Sequence, residues 1–222
     1  MNDAARKISI DVVSDVVCPW CYVGKRKLEG ALRQLTDVDV ELRWRPFQLD
    51  PTIPQGGISR HDYLTKKFGP DRAGTMHHRI EAIGKEAGID FAFDRIARSP
   101  NTLDAHRLIR WAFGTGKQEA VVERLFQLYF IEGRDIGDRD LLADVAAEFG
   151  MDRILTRARL DTDMDAADVQ AEIASAVRLG VNGVPFFIID GKYGLSGAQP
   201  SDMIADAVRK AVETSVSASA QT

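Results

Sequence analysis

The stretch Ile8-Ser9-Ile10-Asp11-Val12-Val13-Ser14-Asp15-Val16-Val17-Cys18-Pro19-Trp20-Cys21 decides how this chain is read. Ile8, Ile10, Val12 and Val13 make a short apolar strand, and the run from Lys25 to Leu35 that follows has helical character. Cys18 and Cys21 therefore stand at a strand-to-helix junction. They are the only cysteines in 222 residues, so none is left to staple the fold elsewhere. In a reducing compartment an isolated CxxC pair is more often catalytic or metal-binding than structural.

Attack on a disulfide requires a thiolate, and an ordinary cysteine is mostly protonated near neutral pH. At a helix N-terminus, unpaired backbone N–H groups and the positive end of the helix dipole stabilise an anion, and Cys18 is placed to benefit. With two residues between them, Cys21 comes round one turn below Cys18, where it can resolve a mixed disulfide formed there. Pro19 suits the first helical turn, where a missing N–H costs little, and Trp20 offers an apolar flank to a partner. A zinc site would want a second CxxC or a spaced histidine pair. Here His77 and His78 are adjacent, and His61 and His106 stand alone. No metal is expected.

Outward from the cysteines, Val38, Val40, Leu42 and Trp44 alternate with Asp39, Glu41 and Arg43 as a second strand, closed by Pro46. Pro51, Pro54, Gly56 and Gly57 then mark a turn-rich linker and a domain boundary. From Ser59 to about Gly180 the pattern is helical. One helix starts at Asp138 as N-cap, aligns Leu141, Leu142, Val145 and Phe149, and stops at Gly150. Others are predicted over Arg60–Phe68, Arg72–Ala87, Leu103–Phe113, Val121–Ile131 and Ala166–Leu179. Strand character returns over Pro185 to Ile189, the Asp190-Gly191 turn signals a hairpin, and Ser201 caps a last helix through Ala211. The small-residue tail from Ser215 to Thr222 is expected to fray. The order predicts an α/β fold whose sheet uses both chain ends: residues 1–58 and 181–222 form one discontinuous domain, and 59–180 an all-helical insertion over the active-site face.

Composition narrows the functions. Hydrophobic residues make up 45% of the chain, enough for a full core, and 29 basic against 33 acidic residues give a net charge of -4. No basic stripe is offered to nucleic acid. No segment has the roughly 18 unbroken apolar residues of a membrane span. The N-terminus is short and polar, and Asp11 and Asp15 interrupt the apolar run behind it, so no signal-peptide core is read. A soluble, cytoplasmic protein is expected.

The matching segments are Asp15-Val16-Val17-Cys18-Pro19-Trp20-Cys21-Tyr22-Val23-Gly24, Trp44-Arg45-Pro46-Phe47-Gln48-Leu49-Asp50-Pro51, Pro100 to Leu108, Gly180-Val181-Asn182-Gly183-Val184-Pro185-Phe186-Phe187 and Ser196-Gly197-Ala198-Gln199. On these the sequence resembles the DsbA family of thioredoxin-like proteins, and within it the cytoplasmic FrnE-like branch. The resemblance implies a thioredoxin fold interrupted by a helical domain and thiol–disulfide exchange with protein or small-molecule thiols as the activity. It also implies that Val184-Pro185 is a cis peptide beside Cys18 and that the Val184 backbone pairs with an extended substrate. Pro19, Trp20, Val184 and Pro185 are thus the substrate-binding candidates beside catalytic Cys18 and Cys21. A neighbouring branch, the hydroxychromene-carboxylate isomerases and kappa-class glutathione transferases, shares the split fold but carries Ser at the reactive position. It leaves open a glutathione-dependent isomerase or transferase acting on a small aromatic or polyketide-like molecule. No cofactor is required, although glutathione is a candidate redox partner, and a dimer is compatible with the chain.

Other residues read as structural. Asp15 is expected to satisfy loop N–H groups. Asn101 and His106, near an insert helix, are placed either at the cleft over Cys18 or in packing. Trp44, Trp111 and the phenylalanines at 113, 126, 130 and 149 read as core, and Arg60 to Lys67 and Arg153 to Arg159 as solvated faces.

Overall fold

The computed structural model describes residues 6–69 and 72–219. The side chains of 6, 72–77 and 215–219 lie outside that description, as do residues 1–5 of the polar N-terminus and 220–222 of the tail. Strand β1 (Arg6–Ser14) runs parallel to β2 (Val38–Pro46), with Ile10 opposite Leu42, and antiparallel to β5 (Phe186–Ile189), with Val12 opposite Phe187. β6 (Tyr193–Ser196) pairs antiparallel with β5, giving the sheet order β2-β1-β5-β6. The two chain ends therefore share one sheet. Asp190 and Gly191, both at positive φ, turn the chain from β5 into β6, the backbone that this dipeptide favours.

Helix α1 (Pro19–Leu32) follows β1 directly and packs against α9 (Ser201–Ser219), which buries Ile204, Ala205, Val208 and Ala211. The Ser201 hydroxyl donates to the Lys27 carbonyl of α1 at 2.8 Å, joining the first helix to the last. Between β2 and β5 lie α2 (Arg60–Phe68), α3 (Arg72–Glu86), α4 (Leu103–Phe113), α5 (Gln118–Phe130), α6 (Arg139–Glu148), α7 (Arg153–Leu160) and α8 (Ala166–Arg178). The segment between β2 and α4, expected to be all helical from residue 59, also holds a two-stranded ribbon of β3 (Ile58–Ser59) and β4 (Arg98–Ser99), too short to leave a periodic signal.

One buried cluster runs from the sheet through α1 into α5 and α6. Aromatic rings knit the junction: Tyr22, the residue after Cys21, stacks on Phe126 with centroids 4.8 Å apart, and Phe91, Phe93 and Phe130 extend the cluster. Phe113 departs from the expected core role. It is exposed and lies under the Arg43 guanidinium at 5.2 Å, because it ends α4 rather than facing its neighbours.

β2 is an edge strand, and Gln118 caps it from α5. Its side-chain oxygen accepts from the Trp44 N–H at 2.8 Å and its amide nitrogen donates to the Trp44 carbonyl at 3.2 Å. This occupies the buried end of an otherwise open ladder. Gln118→Leu keeps the volume but leaves both Trp44 groups unpaired, so chemical denaturation is expected to show a loss of about 2 kcal/mol.

Candidate functional site

Cys18 is the N-cap of α1, in extended conformation, and Pro19 occupies the first helical position. The Cys18 N–H donates to the Asp15 carbonyl at 2.9 Å, and the Cys21 N–H returns to the Cys18 carbonyl at 3.0 Å. Helical geometry thus begins six residues earlier than apolar periodicity marks it, because Pro19 pre-sets φ at a position that needs no N–H donor. Cys18 is 4% exposed and Cys21 fully buried, while Trp20 between them stands out at 40%. Burial first, and then the neighbouring Cys18 side chain, push the Cys21 thiol well above its ordinary pKa, so at neutral pH Cys21 holds its proton.

The loop entering β5 comes to the same place. The Cys18 thiol points at the Val184 carbonyl at 3.7 Å, and the Val184–Pro185 peptide is cis. Gly24, one turn beyond Cys21, makes the approach possible: a Cβ there would stand 2.7 Å from Pro185 Cγ. Gly24→Ala should push this loop off α1, lowering stability by about 1–2 kcal/mol and slowing disulfide exchange while Cys18 still alkylates. Unchanged melting and turnover would show that the loop has slack.

Cys18 opens into a cavity of about 500 Å³ with mostly apolar walls, which also takes in Pro19, Trp20 and Val184. Its far side belongs to the insertion, through Tyr63, Leu64 and Phe68 of α2. Arg60, read from sequence as part of a solvated face, lines this cavity and donates to the Tyr129 hydroxyl at 3.0 Å. Sequence gives no sign of which side α2 turns inward.

Asp15 is buried and ties the loop after β2, accepting from the Leu49 N–H at 2.8 Å. Neither Asn101 nor His106 lines the cavity over Cys18. The Asn101 amide donates to the Ile53 carbonyl at 2.6 Å, and its oxygen accepts from the Leu103 N–H at 2.9 Å. The buried His106 ring, with its proton on Nε2, donates to the Phe47 carbonyl at 2.8 Å and stands 3.4 Å from Asp15 Oδ1.

Behind the pair, a charge network without a motif joins α1 to α5. Lys25 is 3% exposed and touches Glu29, Glu119 at 2.7 Å and Glu123 at 2.9 Å, while Arg26 reaches Glu123 at 2.6 Å. Burial opposes the Lys25 charge, but the carboxylates outweigh it and its pKa rises. Burial likewise pushes Glu123 up, yet the Arg26 hydrogen bond and the Lys25 charge bring it down to about 2. The only trace in sequence is a pair of four-residue spacings, Lys25–Glu29 and Glu119–Glu123, which says nothing of the two helices meeting. Among the described residues, no group of three or more His, Cys, Asp or Glu could hold a metal ion, and no helix is long and apolar enough to cross a membrane.

With the fold and the site described, a family model accounts for most of the chain. The model of the DSBA-like thioredoxin domain covers residues 9–209. The chain belongs to the DSBA-like thioredoxin family. Among relatives of this family, Uncharacterized protein YwbO of Bacillus subtilis (strain 168) is 30% identical over 204 residues, spanning 90% of this chain and 96% of YwbO. A probable DsbA oxidoreductase from Streptomyces coelicolor superposes with a TM-score of 0.84 at 33% identity, covering 92% of this chain and 89% of that one. The cytosolic disulfide reductase DsbM from Pseudomonas aeruginosa, solved with GSH, shares the fold at a TM-score of 0.60 and 22% identity, over 94% of this chain and 98% of DsbM. The α/β architecture expected from sequence, a thioredoxin fold carrying a helical insertion, is that of this DSBA-like protein.

Proposed function

We propose that this DSBA-like protein is a thiol–disulfide oxidoreductase working through Cys18 and Cys21. The supporting observation is the position of Cys18 as N-cap of α1 with the buried Cys21 one turn behind it and an open cavity in front. Cys18 attacks a substrate disulfide as thiolate, the departing sulfur leaves with the electron pair, and Cys21 then gives up its proton and displaces the second sulfur. Both cysteines end oxidised as one disulfide and the substrate ends as two thiols; the reverse sequence oxidises a dithiol. Trp20 and Pro19 flank the entering chain, and the Val184 backbone, held in place by Pro185, offers its edge to it. Residues 1–58 and 181–222 form the redox unit and 59–180 its roof. The compartment is the cytoplasm, where glutathione keeps protein thiols reduced and is itself a candidate redox partner.

Cys21→Ser tests the division of labour. Attack by Cys18 proceeds and resolution does not, so the variant is expected to accumulate covalent adducts on non-reducing gels of whole cells, reversible by dithiothreitol. A Cys21→Ser protein free of adducts, with Cys18 still alkylatable, would contradict the assignment.

A further inference from the structure

The cavity in front of Cys18 carries a second message, about what reaches it. Cys18 is 4% exposed and lines this cavity, so a group that reaches its sulfur does so through the cavity. At about 500 Å³ the space falls in the range that takes drug-sized molecules. Its walls, including Val17, Leu64, Phe68, Ile80 and Phe93, suit a flat apolar body better than a polar peptide.

The polar part of the lining is concentrated on a few groups. Arg60 presents a guanidinium that spends one arm on Tyr129, while its buried Nε has no hydrogen-bond partner among the described residues. Ser99, 3% exposed, sets its hydroxyl beside that of Tyr129 on the same wall. Lys67 and Arg79 add positive charge to the lining, against Asp50 and the buried Asp15. With Arg60, three cations on the lining stand against two carboxylates, so the polar part of the cavity favours an anion.

We propose that this site takes a low-molecular-weight aryl disulfide bearing an anionic group such as a carboxylate, its sulfur at Cys18 and its anion on Arg60. The inference rests on the redox reading above. The Cys18 thiolate forms a bond to one aryl sulfur and the other leaves as an aryl thiolate. Cys21 loses its proton and forms the bond to Cys18, and the second aryl thiolate leaves. The aryl disulfide gains two electrons and, with the two cysteine protons, becomes two thiols. Aryl thiols are acidic, which makes them fast leaving groups in this exchange.

The test follows oxidation of the reduced protein by three probes: the disulfide of meta-mercaptobenzoate, the disulfide of the neutral meta-mercaptobenzamide, and glutathione disulfide. Each rate is divided by the rate of the same probe with free dithiothreitol, which removes intrinsic reactivity. The carboxylate probe is expected to exceed the amide by about tenfold, the worth of one charge-assisted hydrogen bond. Arg60→Met and the milder Arg60→Gln should each bring the ratio of carboxylate to amide rate down toward one. Equal normalised rates for carboxylate and amide in the wild type would overturn the proposal, as would a glutathione disulfide rate above both, and either result leaves the redox reading standing. If no probe oxidises the pair while iodoacetamide still alkylates Cys18, the redox reading itself fails.

Discussion

Cys18→Ser is expected to lower disulfide exchange by at least about a thousandfold, to the level of the uncatalysed reaction, because a hydroxyl furnishes no useful anion at neutral pH. Insulin reduction with dithiothreitol as donor measures this directly. The substitution is nearly isosteric at a site 4% exposed, so melting should be close to wild type and the loss is one of chemistry. Cys21 cannot replace Cys18, because it is fully buried and burial keeps it a protonated thiol. A Cys18→Ser protein with near wild-type turnover of a small glutathione-dependent substrate would instead support the isomerase reading.

Lys25→Met should produce the largest change in stability, about 3 kcal/mol at neutral pH, because it removes the buried cation between Glu29, Glu119 and Glu123 and leaves Arg26 alone to offset them. The pH dependence carries the signature. The Glu123 pKa is depressed in the folded protein, to about 2 from an ordinary 4.5, so its contribution is fully present above about pH 4.5 and is lost as pH falls toward 2. In Lys25→Met one of the two cations responsible is gone, so less is left to lose on acidification. Urea titrations at a series of pH values should therefore show the difference between variant and wild type shrinking from pH 5 to pH 3. A difference independent of pH would assign the loss to packing alone.

Much of the fold is legible in the sequence because its signals are local. Alternation in β2, the Asp190-Gly191 turn and the cap at Asp138 each act within a few residues, and the structure places elements where they point. The start of α1 is less legible: apolar periodicity begins near Lys25, while the helix begins at Pro19, in a turn whose outward residue is Trp20. α9 continues to Ser219, beyond the expected end at Ala211, through small residues that neither break a helix nor advertise one. For the site, the cysteines announce themselves by spacing. The Lys25 network, the Gln118 cap on β2 and the position of Arg60 do not, because each depends on two elements far apart in sequence meeting at one register. Phe113 illustrates the same limit, since hydrophobicity predicts burial only when something lies opposite.

The most direct measurement equilibrates the protein in dithiothreitol redox buffers and counts free thiols by alkylation and intact mass. One two-electron transition is expected, in which Cys18 and Cys21 lose their thiols together, with a midpoint slope of about 30 mV per tenfold change in the ratio of oxidised to reduced protein. Two thiols that remain alkylatable under fully oxidising buffer, or that oxidise independently of each other, would contradict it.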